Sequence, residues 1–279
     1  MLTLLLGQHV CIDDVGKPLG VVSPHAVSRT SGGTHVIILG IDTAGQSGSV
    51  ALVDETQVLA SFYLRQAPTF SSHLVRLVDL VCAQAGCRVD DLGGFAVSLG
   101  PGGFTSLRVA LATAQGLAMA TGKPLVGCST FEALVAFVAG WDGTVCPVLE
   151  ARRGEVYAAF YGRQGTTIRE TIPGMVTTPD ALCTLVTERT LFVGSGVRTY
   201  GRLFAMTLGA QAVCLESVLE GELAASVARL GQARLQHAST AARQMLTPLY
   251  IRAADARLPR YPMTGAAPSL PLGITEPGG

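Results

Sequence analysis

The chain has 279 residues, 48% of them apolar and only 14% charged, so it can bury a large core as one domain or two lobes. Its 20 basic and 20 acidic side chains give a formal net charge of zero, without the basic excess typical of proteins that bind nucleic acid on their own. The mean hydropathy of +0.42 favours burial of apolar surface against another chain, although a tight alanine-rich core explains it equally well.

The cysteines and histidines indicate neither disulfides nor a metal site. The seven cysteines form no CxxC pair, and the five histidines show no HxxxH or HExxH spacing. Scattered thiols fit a reducing cytoplasm. No run reaches 18 apolar residues, and the opening "MLTLLLGQHV" is too short an apolar run for a signal peptide. We therefore expect a cytoplasmic protein with no metal and no membrane span.

Strong periodicity begins near residue 36 and predicts a first round of strands and helices. Helices are predicted over residues 72–85, where apolar residues recur three and four apart, and from Thr105 onward. Apolar runs of strand length lie at 36–41, 49–53, 58–64, 94–99 and 124–128. This order predicts a mixed sheet with helices packed on it, and hence the α/β class.

A second round follows with the same opening. The segment "ILGIDTAGQSGSVALV" is an apolar strand, Asp42, a glycine-containing turn and a second strand; "CPVLEARRGEVYAAFY" repeats this with Glu150 and a shorter turn. An internal duplication explains both, and chance similarity of two hairpins is the alternative. The remaining predicted strands are 146–150, 155–162, 167–172 and 191–194, and the helices are 131–139, 180–188, 197–208 and 223–236.

These patterns divide the chain into four parts. Residues 1–35 are expected to be a poorly ordered extension, and Val36 is a candidate start because valine-type codons can initiate translation in bacteria. An N-terminal lobe is predicted over 36–129 and a C-terminal lobe over 130–256. Residues 257–279, rich in proline and glycine, are expected to be a disordered tail.

Two turns are candidates for a vestigial phosphate loop. Asp42 and Thr43 end the first strand, where backbone N–H groups can face a phosphate and a carboxylate can hold a metal-bound water. Gly102 and Gly103 lie in "GPGGFTSLR", a glycine-rich turn before a helix that matches neither GxxxxGK[ST] nor GxGxxG. The structural alternative is that Asp42 caps its own hairpin and the glycines allow a close backbone approach.

The predicted helices at 72–85 and 105–121 are the candidate partner interface. The second carries an apolar stripe, and residues outside that stripe also have small side chains. Another helix can therefore approach to within about 8 Å between axes. The proposed interface residues are Leu74, Leu77, Val78, Leu107, Ala110, Leu111, Ala112, Ala114 and Gly116. No catalytic nucleophile motif accompanies them.

Six segments between residues 36 and 252 together resemble the TsaB (YeaZ) family. They occur in the order "ILGIDTAGQSGSVAL", "SSHL", "SLGPGGFTSLRVALATAQGLA", "PLVGCSTFEAL", "EARRGEVYAAFY" and "PLYIR". The resemblance implies a two-lobed actin-like (ASKHA, RNase H-like) fold. It departs from the family at Glu150, where an aspartate is usual, and in the 35-residue extension.

The same resemblance implies a function. TsaB proteins are non-catalytic subunits of the bacterial machinery that makes N6-threonylcarbamoyladenosine at position 37 of tRNAs reading ANN codons. They bind the catalytic subunit TsaD, TsaE joins as an ATPase, and alone they form homodimers through their N-terminal helices. ATP and Mg²⁺ then belong to the complex, tRNA is reached mainly through it, and no cofactor is expected on this chain.

Two other functions stay open from the residues alone. The first is an ATP-dependent actin-like kinase or hydrolase using Asp42 and the turn after Gly100. The second is a glycoprotease-like peptidase, which is the older label of the superfamily. No residue pattern in the chain supports peptidase chemistry.

Overall fold

A computed structural model describes residues 10–11, 36–45, 47–55, 57–64, 67–138, 140–165, 167–215, 223–237 and 246–251. The predicted tail at 257–279 lies outside these residues. So does nearly all of the predicted extension at 1–35, of which the described part is a two-residue strand, β1 (Val10–Cys11).

The first sheet is built from the first round of predicted elements. Its strands stand in the order β1-β4-β3-β2-β5-β6, with β2–β3 and β3–β4 antiparallel and β2–β5 and β5–β6 parallel. Two 18-residue helices, α1 (Ala67–Gln84) and α2 (Phe104–Thr121), connect its parallel strands. The strands are β2 (Ile38–Asp42), β3 (Gly48–Val53), β4 (Val58–Leu64), β5 (Gly94–Ser98) and β6 (Leu125–Cys128).

The second sheet repeats this topology. Its order is β11-β10-β7-β8-β9, with β7–β8 and β8–β9 antiparallel and β7–β10 and β10–β11 parallel. The strands are β7 (Gly143–Glu150), β8 (Val156–Gln164), β9 (Thr167–Thr177), β10 (Thr190–Val193) and β11 (Ala212–Leu215). The helices are α3 (Thr130–Phe137), α4 (Pro179–Cys183), α5 (Ser195–Leu208) and α6 (Leu223–His237).

The repeat supports the internal duplication inferred from the sequence. Strands β2 to β6 and β7 to β11 have the same order and the same senses. The prediction of a shorter second turn is wrong, because residues 43–47 and 151–155 are connections of equal length between the paired strands. In the second connection the chain turns through Arg153, whose φ is +65°, and Gly154, whose φ is +75°.

Each repeat ends in a helix that packs across the boundary between the lobes. Helix α3 follows β6 yet packs on β7, β8 and α6, whereas α6 follows β11 yet packs on β2, β3, β5 and β6. The predicted lobe boundary at residue 130 already places α3 in the C-terminal lobe, but it also places residues 223–236 there, and their apolar side chains cover the first sheet. Together α3 and α6 form the central layer of a core shared by both sheets.

Outer helices complete the layering. Helices α1 and α2 cover the outer face of the first sheet, and α4 and α5 cover that of the second. The layers therefore run helix, sheet, helix, sheet, helix, which is the two-lobed actin-like α/β fold.

Two glycines allow α6 to lie directly on the first sheet. A Cβ on Gly40 of β2 would stand 2.0 Å from the carbonyl oxygen of Ala224, and one on Gly231 of α6 would stand 2.4 Å from the Cβ of Ala96. Real Cβ atoms do not approach so closely. The contact between the lobes therefore depends on the absence of these two side chains.

Several elements differ from the prediction. The helix predicted at 180–188 ends at Cys183, where the N–H groups of Leu185 and Val186 bond to carbonyls three residues back and tighten the turn. Strand β9 continues to Thr177, five residues beyond its predicted end. Strand β11 was not predicted, although β6 and β10, which also have four residues, were.

Candidate functional site

The two candidate phosphate turns lie against each other. The Thr43 hydroxyl donates to the carbonyl of Ser106 at 2.9 Å, and the Gly103 N–H donates to the carbonyl of Ala44, also at 2.9 Å. A Cβ on Gly102 would stand 2.4 Å from that same Ala44 oxygen. The fold thus brings together Asp42, Thr43, Gly102 and Gly103, but the turns fill each other's space.

The cleft between the lobes is almost closed at this point. Asp42 and Thr43 are 2% and 3% exposed, and the cavity beside them has a volume of about 20 Å³. A small-molecule pocket occupies about 300–1,000 Å³, whereas a single water needs at least about 10–15 Å³. The buried Thr130 hydroxyl lines this cavity and has no hydrogen-bond partner among the described residues. The arrangement fits a water and does not fit a nucleotide.

Glu150 occupies the equivalent position in the second lobe. Its backbone N–H donates to the Ser195 hydroxyl at 3.2 Å, and its carboxylate accepts a hydrogen bond from the Thr199 hydroxyl. Both partners lie in the first turns of α5. The acid therefore fastens the turn after β7 to a helix, as Thr43 does in the first lobe through Ser106.

A cluster at the start of α2 was not anticipated from the sequence. The Arg108 side chain donates through Nε to the Tyr250 hydroxyl at 2.8 Å, and its guanidinium carbon lies 3.7 Å from the centre of the Phe104 ring. The Leu249 N–H donates to the Leu99 carbonyl at 2.7 Å. The "PLYIR" segment is thus held beside the glycine-rich turn, but 142 residues separate Arg108 from Tyr250, so spacing along the chain gave no signal.

Most of the predicted partner-interface residues lie in the chain's own core. The seven buried ones hold α1 and α2 to the first sheet: Leu74, Leu77, Val78, Leu107, Ala110, Leu111 and Ala114. Only Ala112 and Gly116 of the nine are exposed. The physical reason is that an apolar stripe marks the side of a helix that faces its own sheet, so a surface for another chain must be sought off the stripe.

The exposed side of these helices includes small and apolar residues as well as the charged Arg76, Asp79 and Arg108. We use the name α1–α2 face for five of these residues: Val75, Leu80, Ala112, Gly116 and Met119. Val75 and Met119 are 57% and 84% exposed, and a Cβ on Gly116 would meet no atom within 4 Å. The two helices contact each other, so these residues lie on a shared outer layer.

A larger cleft of about 590 Å³ lies where α3, α6, the β8–β9 hairpin and residues 246–251 meet. Inside it the Tyr161 hydroxyl donates to Glu170 at 3.3 Å, and Glu132 pairs with Arg234 of α6. Burial, with Glu170 and Glu132 nearby, raises the pKa of Tyr161. The ion pair joins the two central helices, so these polar groups support the junction between the lobes.

Within the described ranges, no three His, Cys, Asp or Glu side chains are grouped so that they could hold a metal ion. A separate search of the same ranges finds no helix with the length and apolarity that crossing a membrane requires.

The sequence matches a family profile and named relatives. Residues 57–259, more than half of the chain, match the profile described as TsaD, tRNA N6-adenosine threonylcarbamoyltransferase. Over 136 residues, 49% of the chain, it is 29% identical to the tRNA threonylcarbamoyladenosine biosynthesis protein TsaB of Bacillus subtilis. Over 128 residues, 45% of the chain, it is 34% identical to the Escherichia coli protein of the same name. The chain spans 59% and 55% of the length of these two relatives.

A solved structure agrees with the sequence matches. YeaZ from Pseudomonas aeruginosa superposes with a TM-score of 0.62 at 25% identity, covering 77% of this chain and 99% of that one. The fold and the sequence motifs therefore point to the same set of proteins.

Proposed function

Because the chain belongs to the TsaD family of tRNA N6-adenosine threonylcarbamoyltransferases, within its TsaB (YeaZ) members, we propose that it serves threonylcarbamoyladenosine formation as a non-catalytic scaffold. In this role it binds a TsaD subunit that carries the chemistry at position 37 of tRNAs reading ANN codons. TsaE joins the larger complex, and ATP and Mg²⁺ are used there. In the absence of TsaD the chain pairs with a second copy of itself.

One observation carries the scaffold role over an ATP-dependent enzyme. The turn at Gly102 and Gly103 is packed onto Ala44, and the Gly103 N–H is already bonded to its carbonyl. An oriented backbone N–H can bind a phosphate only while it has no other acceptor. The nearby cavity of about 20 Å³ offers no room for a nucleotide. These residues therefore support a structural role for the former phosphate turns.

The α1–α2 face is the proposed partner surface. Small residues such as Ala112 and Gly116 let another helix come close, and the exposed Met119 can adapt to an apolar partner. Two helices side by side offer a groove to a matching pair and give a four-helix contact. Homodimer and TsaD complex would then compete for one surface.

The decisive variant is Ala112→Trp. Ala112 is exposed, so the larger side chain should leave the melting temperature of the isolated chain nearly unchanged. On the proposed surface it should weaken the homodimer or the TsaD complex at least tenfold, about 1.4 kcal/mol. Sedimentation velocity with and without TsaD measures both associations. Ala205→Trp, at an exposed position of α5, is the matched control and should bind normally. Normal binding by Ala112→Trp would place the interface elsewhere.

A second experiment separates scaffold from enzyme. The purified chain, incubated with ATP and Mg²⁺, should release no phosphate above a buffer control. Asp42→Ala should lower the melting temperature instead, because it empties a buried polar position. Steady ATP hydrolysis by the chain alone that disappears in Asp42→Ala would overturn the proposal.

A further inference from the structure

The end of α1 brings two cysteines together. The chain leaves the helix through Gly86, which has a left-handed φ of +66°, and the Cys87 N–H donates back to the Cys82 carbonyl at 3.0 Å. This helix ending places the side chain after the glycine against the one in the last turn. The Cys82 and Cys87 side chains accordingly lie close enough for each thiol to shift the pKa of the other.

The two thiols have different environments. Cys82 is buried in the core beneath α1, whereas Cys87 is only partly buried. The neighbouring thiol raises the pKa of Cys82 and lowers the pKa of Cys87, while burial and the nearby Asp91 act against the second effect. Cys87 is the thiol that solvent reaches, and Cys82 lies behind it.

Three other cysteines lack this combination. Cys128, Cys146 and Cys183 are buried, and burial raises the pKa of each thiol. Cys146 and Cys183 are close enough to influence each other, but both are covered. Reactive cysteines need a thiolate that reagents can reach. Cys87, with a second thiol in contact, meets that requirement.

We propose that Cys82 and Cys87 are a dithiol site that hydroperoxides convert to an intramolecular disulfide. The Cys87 thiolate attacks the terminal peroxide oxygen, the O–O bond breaks, and Cys87 becomes a sulfenic acid while the alcohol, or water, leaves with a proton. The Cys82 sulfur then displaces the sulfenic oxygen, which takes the Cys82 proton and leaves as water. The dithiol is oxidised by two electrons and the peroxide is reduced by two. This site is independent of the proposed scaffold role.

The backbone geometry favours that bond. A disulfide needs Cα atoms about 4.4–6.8 Å apart with converging side chains, and a helix end closed by the bond from the Cys87 N–H to the Cys82 carbonyl brings these two residues together. The product would tie the last turn of α1 to the residue after Gly86 without moving the helix.

Peptide mapping tests the site directly. The full chain is treated with hydrogen peroxide, free thiols are blocked with iodoacetamide, and trypsin releases residues 77–88 between Arg76 and Arg88. We expect this peptide to lose the mass of two hydrogens, to carry no alkyl group, and to gain two alkyl groups when dithiothreitol precedes blocking. A fully alkylated peptide, or sulfinic acid at Cys87 with Cys82 still free, would refute the disulfide.

Two variants define the chemistry. Cys87→Ser, a small change at a partly buried position, should abolish the mass loss and leave Cys82 slow to alkylate in the folded chain. Cys214→Ser, also at a partly buried position, is the matched control and should oxidise at residues 77–88 like the parent. Equal loss of the disulfide in both variants, or a disulfide-linked dimer in place of the internal bond, would contradict the proposal.

Discussion

The two lobes share one sheet topology but differ in the helices outside it. The first sheet is covered by α1 and α2, each 18 residues long, whereas the corresponding connections of the second are α4, with 5 residues, and α5, with 14. Exposed positions on α2 include Ala112 and Gly116, but on α5 they include Arg198 and Arg202. The difference teaches that the duplicated sheets are a common framework and that the outer helices distinguish the lobes. The exposed residues of α2 at these two positions are small and uncharged, although Arg76 and Asp79 of α1 and Arg108 of α2 are exposed as well.

The equivalent acids show the same division. Asp42 is buried beside the closed cleft, whereas Glu150, one methylene longer, is half-buried and reaches Thr199 on α5. The first position belongs to the boundary between the lobes, and the second fastens a surface turn. The same position of the repeated motif therefore has a different structural role in each lobe.

The largest test of the comparison asks whether the lobes unfold together. Phe95 of β5 and Phe204 of α5 are fully buried in different outer cores, so either change to alanine should cost about 3–5 kcal/mol. Since α3 and α6 tie the sheets together, each variant should shift one common transition. Urea unfolding followed by circular dichroism and by fluorescence of Trp141, the single tryptophan, measures this. In Phe95→Ala, a circular dichroism transition that precedes an unshifted Trp141 transition would show that the lobes are independent.

A smaller effect is expected where α6 meets the first sheet. Gly40→Ala places a Cβ against the backbone of Ala224 and should destabilise the chain by about 1–3 kcal/mol. Gly162→Ala in β8 is the control, because its Cβ would meet only Thr171 at an ordinary 3.6 Å. Thermal unfolding of both variants tests the contact. Equal stability would mean that α6 can move away without loss.

The hydrogen bonds that hold the two equivalent turns should differ in strength. Thr43→Val removes the buried bond to Ser106 and should cost about 0.5–1.5 kcal/mol. Thr199→Val removes an exposed bond to Glu150 and should stay within about 0.5 kcal/mol. Chemical denaturation of the pair measures the difference. A larger loss for Thr199→Val would reverse the assignment of which turn is structurally critical.

The smallest effect concerns the slim helix itself. Gly116→Ala introduces a Cβ into open space in a helix interior, so the isolated chain should gain about 0.5–1 kcal/mol. Ala112→Gly, the reverse change on the same exposed side, should lose a similar amount. Melting temperatures measured at the lowest practical protein concentration report both. A loss of stability in Gly116→Ala would mean that the position is covered within the chain.

The sequence predicted the layered fold well because its strands are continuous apolar runs and its long helices are strongly periodic. The strand at Val58–Leu64 was predicted to the residue, and the boundaries of β3 and β5 to within one. The packing of α6 on the first sheet could not be predicted, since periodicity gives the apolar side of a helix but not the sheet that it covers. The requirement for glycine at positions 40 and 231 can be explained only once the contact between α6 and the first sheet is known.

The candidate site was predicted less completely. The motifs identified the turns at Asp42 and Gly102 separately, and they could not reveal that the two turns pack together with Ala44 between them. The residues predicted for the partner interface lie mostly on the core side of their two helices, because hydrophobicity marks burial of either kind. The contact between Arg108 and Tyr250 depends on tertiary structure alone.

The position of α6 on the first sheet also has a consequence for folding during synthesis. The strands of the first sheet have all been made by residue 128, but one of its faces is covered by a helix that ends at residue 237. Until the ribosome has delivered that helix, the first half of the chain carries a bare apolar sheet face that neighbouring nascent chains or chaperones can touch. Translation must therefore run almost to the end of the described chain before either half is protected from aggregation.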